Sequence, residues 1–142
     1  MAEEKKSVMT DELAQSELER WADYHDIDLF VTGADGNKIL DAGAAKLVKA
    51  IKSGVLVLNE KNEWEYTVGP RSPAGYAGEK ITIKAPTGAA YMAMDKFKEQ
   101  ESFHKTAAML SAITGQEVSW FSKIDNYDFK ILSLVAGFFT AG

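Results

Sequence analysis

The stretch that most limits what this chain can fold into is residues 125–139, where apolar side chains cover nearly the whole circumference of a helix. Ile131, Leu134, Val135 and Phe138 share one side at helical spacing, and Phe129, Leu132, Ala136 and Phe139 share another. A helix apolar on more than one face must be buried on both sides or covered by a partner. Two outcomes stay open: central burial in one core, or an outer side that meets an oligomer mate or a client. Its place at the close of the sequence favours the second. Asp125 and Asp128 frame its start in a capping-box-like spacing.

Two shorter helices are expected just before it. Pro86-Thr-Gly stops a strand and places Thr87 to cap a helix over about 88–99. Ser102 is placed to cap another, with Phe103, Ala107, Leu110 and Ile113 inward and Gly115 as its stop. No constellation of catalytic groups sits on this part of the chain. Such a pattern suits holding another protein better than chemistry.

With 142 residues, the chain is long enough for one domain with a real core. Apolar residues at 46% and charged residues at 26% are ordinary for a soluble globular protein. A net charge of −5, dispersed lysines and arginine only at Arg20 and Arg71 argue against nucleic acid as a partner. With zero cysteines, disulfides, thiolate catalysis and cysteine zinc sites are excluded. The N-terminus has no apolar segment of the secretory type, and the uncharged run 131–142 is far short of the roughly 20 residues a membrane helix needs. A soluble, non-secreted protein is expected, with no membrane partner.

Residues 1–9 read as a polar, frayed arm. Thr10, followed by Asp11 and Glu12, caps a helix over about 11–24, with Ala14, Leu18 and Trp21 on its apolar side. Residues 27–32 read as a short strand ended by a turn at 33–37. Leu40, Ala44, Leu47, Val48 and Ile51 mark the apolar face of a second helix that Gly54 ends. Residues 55–58 and 64–68 flank a polar turn and read as a hairpin. Residues 69–78 hold two prolines and three glycines, which makes 69–80 a flexible connector between two parts, 10–68 and 81–142. Residues 81–85 alternate like a half-exposed strand. The fold class is therefore α+β: N-terminal helices with a β-hairpin, a Gly/Pro loop, then a strand and a C-terminal group of short helices.

Candidate chemical groups are sparse. Asp23, Asp26, Asp28, Asp35 and Asp41 invite a calcium reading, but the loop lacks the ligand spacing and closing glutamate such a site needs, so they read as turn and capping carboxylates. His25 and His104 lie on different helices, and neither has a nucleophile motif around it. The 69–78 loop lacks the G-K-[ST] ending of a phosphate loop. Trp21, Trp64 and Trp120 read as packing residues, because no basic groups interleave with them. No cofactor is expected.

The residues from Ile81 onward carry a family resemblance. Ile81-Thr-Ile-Lys precedes Pro86-Thr-Gly-Ala and Met94-Asp95; Met109-Leu-Ser-Ala-Ile-Thr-Gly follows; then come Ile124-Asp125, Asp128 and a closing Phe138-Phe139. In this order the chain resembles the tail-assembly chaperones of long-tailed bacteriophages, which show a strand leading into a P-T-G-type helix start, a helix ending in L-T-G and a hydrophobic close. Residues 47–67 match more loosely, and residues 1–40 and the Gly/Pro loop have no counterpart.

The resemblance implies a non-enzymatic protein of the bacterial host cytoplasm. It would bind the helical tape-measure protein, keep it soluble and help recruit tail-tube subunits, and the resemblance also allows a homo-oligomer. Such chaperones are often made alongside a frameshifted longer form and are absent from the finished particle. On that reading Phe129, Leu132, Val135, Phe138 and Phe139 are the partner-binding residues, with Met92, Met94 and Met109 as adaptable packing. The alternatives are a structural tail or capsid component, a small metal- or nucleotide-dependent enzyme using the 23–41 carboxylates, and a generic α+β interaction module.

Overall fold

The computed structural model describes residues 9–95 and 102–140. Helix α1 spans Asp11–His25, with the Thr10 hydroxyl accepting the Leu13 N–H at 3.1 Å as its N-cap. Strands β1 (Phe30–Thr32) and β2 (Lys38–Leu40) pair antiparallel, Phe30 opposite Leu40. Leu40 fits the spacing of the next helix but belongs to β2. Asp41 interrupts the two elements by capping α2 (Ala42–Ser53), its carboxylate accepting the Gly43 N–H at 2.8 Å. Gly54 ends α2 at φ 90°, a left-handed conformation in which a Cβ would be strained.

The hairpin forms as the pattern requires, from β3 (Leu56–Leu58) and β4 (Trp64–Thr67). A third strand, β5 (Lys80–Ile83), adds to β4 with Trp64 opposite Ile83 and Tyr66 opposite Ile81. Leu56, Leu58, Trp64, Tyr66, Ile81 and Ile83 all turn one face to the core. The segment read as a flexible connector between two parts thus joins neighbouring strands of one sheet. Its ends are held by Val68 donating to the Glu79 carbonyl and Gly78 donating to the Val68 carbonyl, each at 2.8 Å.

Helix α3 spans Gly88–Met94, and Thr87 stands at its N-cap position without making a side-chain capping bond. The expected continuation to residue 99 lies outside the described residues from 96 on. Helix α4 runs Ser102–Thr114, so Ser102 lies within the helix rather than capping it. Ala107, Leu110 and Ile113 point inward as expected, whereas Phe103 is exposed. A 3-10 turn at Val118–Ser122, which the sequence pattern does not announce, buries Phe121. Helix α5 (Asn126–Thr140) then packs against α2 and α4. A single hydrophobic core runs from α1 through the three-stranded sheet to α5, and Met9, assigned to the polar arm, rests against it. Residues 1–8 of that arm lie outside the described residues. The fold is α+β. No helix among the described residues is long and apolar enough to cross a membrane.

Candidate interaction surface

The two apolar sides of α5 do not survive as two faces. One stripe is buried, made of Asp128, Ile131, Leu132, Val135 and Ala136 at i, i+3, i+4, i+7 and i+8. It cuts across both sets of residues that the sequence pattern separates, and α2 and α4 are helices that pack against α5. The residues flanking the stripe are left half covered, and they form the shoulders of the helix.

This arrangement divides the five expected partner-binding residues. Leu132 and Val135 have 0% exposure and are core; neither can touch a partner while the protein is folded. Phe129 is half-buried on one shoulder and stacks on Phe103, with ring centroids 5.0 Å apart. Phe139 turns back into the molecule, edge-on to Trp21 at 5.3 Å and to His25 at 5.4 Å. Phe138 is half-buried on the opposite shoulder from Phe129 and lines a cavity of about 530 Å³ with His25, Asp28, Val31, Tyr91 and Phe139. Of the methionines, Met92 is exposed, Met94 packs partly against the core, and Met109 is buried within it.

A larger concavity among the described residues is one the sequence reading missed. A groove of about 770 Å³ lies between α2 and α5, with Tyr127, Phe129, Ile131 and Leu134 as its apolar lining. Lys46 and Lys49 on α2 and Lys130 on α5 stand at its rim. All three lysines are exposed, and none has an ion-pair partner among the described residues. Gly43 sets how closely α2 approaches α5: a Cβ there would lie 3.0 Å from Leu134 Cδ2 and 3.1 Å from Asp41 Oδ2. The signal available in the sequence was Tyr127, Lys130 and Leu134 at i, i+3 and i+7, but it is visible only once the buried stripe is known.

The floor of α5 is fixed by a buried carboxylate. Asp128, 1% exposed, does not close a capping box. It accepts hydrogen bonds from Tyr66 Oη, from the Gly69 N–H at 3.0 Å and from Ser72 Oγ at 2.6 Å. Ser72 Oγ in turn accepts the Asp125 N–H at 2.7 Å, while the Asp125 carboxylate caps α5 through the Tyr127 N–H at 2.9 Å. A buried charge met by several donors is stabilised, whereas an unmet one would be costly. Burial, and the bond donated to Asp128, hold the Tyr66 phenol far above its ordinary pKa. The arrangement is structural: the polar atoms satisfy one another.

The remaining candidates have local roles. Asp28 accepts the Phe30 N–H at 3.0 Å, Asp35 accepts both nitrogens of Asn37 at 3.0 Å each, and Asp26 ends α1 in a left-handed conformation at φ 59°. His25 Nε2 lies 3.0 Å from the Asn62 carbonyl, to which it can only donate. Trp21 and Trp64 pack together in the core with centroids 5.7 Å apart, and their indole N–H groups meet no acceptor among the described residues. Trp120 is half-buried against Tyr76 and Phe121. No group of three or more metal-ligating side chains converges among the described residues. Compared with known protein families, curated proteins and solved structures, the chain gives no match.

Proposed function

We propose that this chain is a non-enzymatic binding protein, a tail-assembly chaperone of a long-tailed bacteriophage. It holds the tape-measure protein soluble in the host cytoplasm and brings it to the tail-tube subunits. One observation carries the reading: α5 has a buried stripe and leaves apolar shoulders beside a groove that no part of the described chain fills. A groove walled by two helices fits an amphipathic helix laid along it, and a tape-measure protein is a long helical chain with apolar stripes.

The placement of the motif residues agrees with this reading. Ile81–Ile83 lie on β5, Thr87 opens α3, α4 ends at Thr114-Gly115, and Asp125 opens α5. The polar cluster at Asp128 ties α5 to the sheet and to the 69–72 segment, which holds the helix in place beside the groove.

The test is co-expression of the tagged chain with the longest helical reading frame encoded beside it, followed by pull-down. A soluble complex, with the long protein insoluble alone, supports the proposal. A folded chain to which the long protein is indifferent removes it. Recovery of the chain from purified particles instead favours a structural component of tail or capsid.

A further inference from the structure

We infer that the groove between α2 and α5 takes an acidic amphipathic helix, whose apolar side sits on Tyr127, Phe129 and Leu134 and whose carboxylates meet Lys46, Lys49 and Lys130. This rests on the reading of the chain as a client-binding protein and specifies which segment of a client the groove selects.

Charge complementarity carries the inference. The chain is acidic overall, at −5, yet the rim of this groove is lined with lysines and no carboxylate contributes to it. The lysines stand on both walls, two on α2 and one on α5, so an occupant between the walls meets positive charge from each side. Each ammonium is solvated and without an ion-pair partner among the described residues. Pairing with a carboxylate therefore breaks no existing ion pair, and the attraction acts mainly on encounter and on choice of partner.

The cavity at the far end of α5 has the opposite character. The cavity beside Phe138 and Phe139 is bordered by Asp26, Asp28 and Asp41. An acidic helix would be repelled there, so that cavity and the α2–α5 groove do not compete for the same segment.

The occupant is helical because of what lines the groove. Both walls are helices, and the groove presents side chains rather than the free backbone edge an added strand would need. On α5 the lining residues run from Asn126 to Leu134, a length that matches about two to three turns of a bound helix.

The test uses the full chain and a fluorescein-labelled helical peptide of about 14 residues, with leucines on one face and glutamates flanking them. Its control carries lysine in place of each glutamate. By fluorescence anisotropy, the acidic peptide is expected to bind and to weaken as salt rises, and the basic control to bind at least about tenfold more weakly. The triple variant Lys46→Glu, Lys49→Glu, Lys130→Glu is expected to reverse that preference while keeping the wild-type circular dichroism and melting temperature.

Equal binding of both peptides, or an unchanged preference in the triple variant, overturns the inference. A chain that is dimeric by light scattering, and becomes monomeric in the triple variant, also overturns it by making a second copy the occupant. If the triple variant still solubilises the co-expressed long protein as well as wild type does, the groove is not the client site, while the chaperone reading stands. If wild type binds the acidic peptide but solubilises no neighbouring protein, the groove chemistry stands and the chaperone reading falls.

Discussion

Asp128 illustrates how one side chain can be read correctly as to its neighbourhood and wrongly as to its job. Its place one turn from the start of α5 suggests a capping role, but that role belongs to Asp125, and Asp128 is turned inward to Tyr66, Gly69 and Ser72. Nothing in the local pattern separates the two carboxylates, because the donors lie more than fifty positions earlier in the chain. Replacing Asp128 with Ala leaves buried donors unmet and is expected to destabilise the protein by about 3 kcal/mol, read from urea unfolding. Tyr66 gives a second prediction. Its phenol stays protonated in the folded state well above the ordinary value near 10. Above about pH 10 the unfolded chain loses that proton while the native state keeps it, so this contribution to stability is present at neutral pH and declines as pH rises. Tyr66→Phe is expected to be less stable at neutral pH but to show a shallower alkaline decline; equal slopes in urea midpoints between pH 9 and 11 would count against this.

At the scale of elements, the boundaries set by local chemistry were legible. Thr10 and Gly54 fix the ends of α1 and α2 because a hydroxyl cap and a left-handed glycine act within one turn. The 3–4 residue elements were harder: β2 is three residues long, and Leu40 fits either a strand or the helix that follows. The side of α5 that faces outward could not be read at all, since it depends on where α2 and α4 come to rest. Phe138 and Phe139 show the result, adjacent in sequence but different in surroundings. Phe139→Ala removes a ring packed on Trp21 and His25 and is expected to cost about 2 kcal/mol. Tyr127→Ser, exposed on the groove, is expected to leave the melting temperature nearly unchanged and to reduce capture of the co-expressed long protein. The reverse pattern in paired melting and pull-down measurements would place the binding surface at the end of the helix instead. Asp41→Ala, which removes the α2 cap, is expected to cost about 1 kcal/mol in the same unfolding assay.

For the whole molecule, the core is continuous across the Gly/Pro-rich segment. β4 pairs with β5 across it, and Tyr66 before it bonds Asp128 after it. Composition marks 69–80 as a place to divide the chain, because proline and glycine commonly accompany linkers. Here they serve tight turns whose backbone is tied to strand ends, and Ser72 within them is buried. Separate expression of residues 9–68 and 81–140 is therefore expected to give two unfolded fragments by circular dichroism. A folded fragment of either kind would show that the sheet is not what joins the two parts.

The bonds of Asp128 to Tyr66, Gly69 and Ser72 also bear on how this sequence can change over time. They link positions 62, 59 and 56 residues apart, so a substitution at either end is judged by a residue that is remote in the chain. Homologous chains that lose the carboxylate at 128 should lose the hydroxyls at 66 and 72 with it, leaving correlated substitutions as the historical trace of a contact. Such correlation in a family alignment would let the docking of α5 be inferred from descent, where a single sequence conceals it.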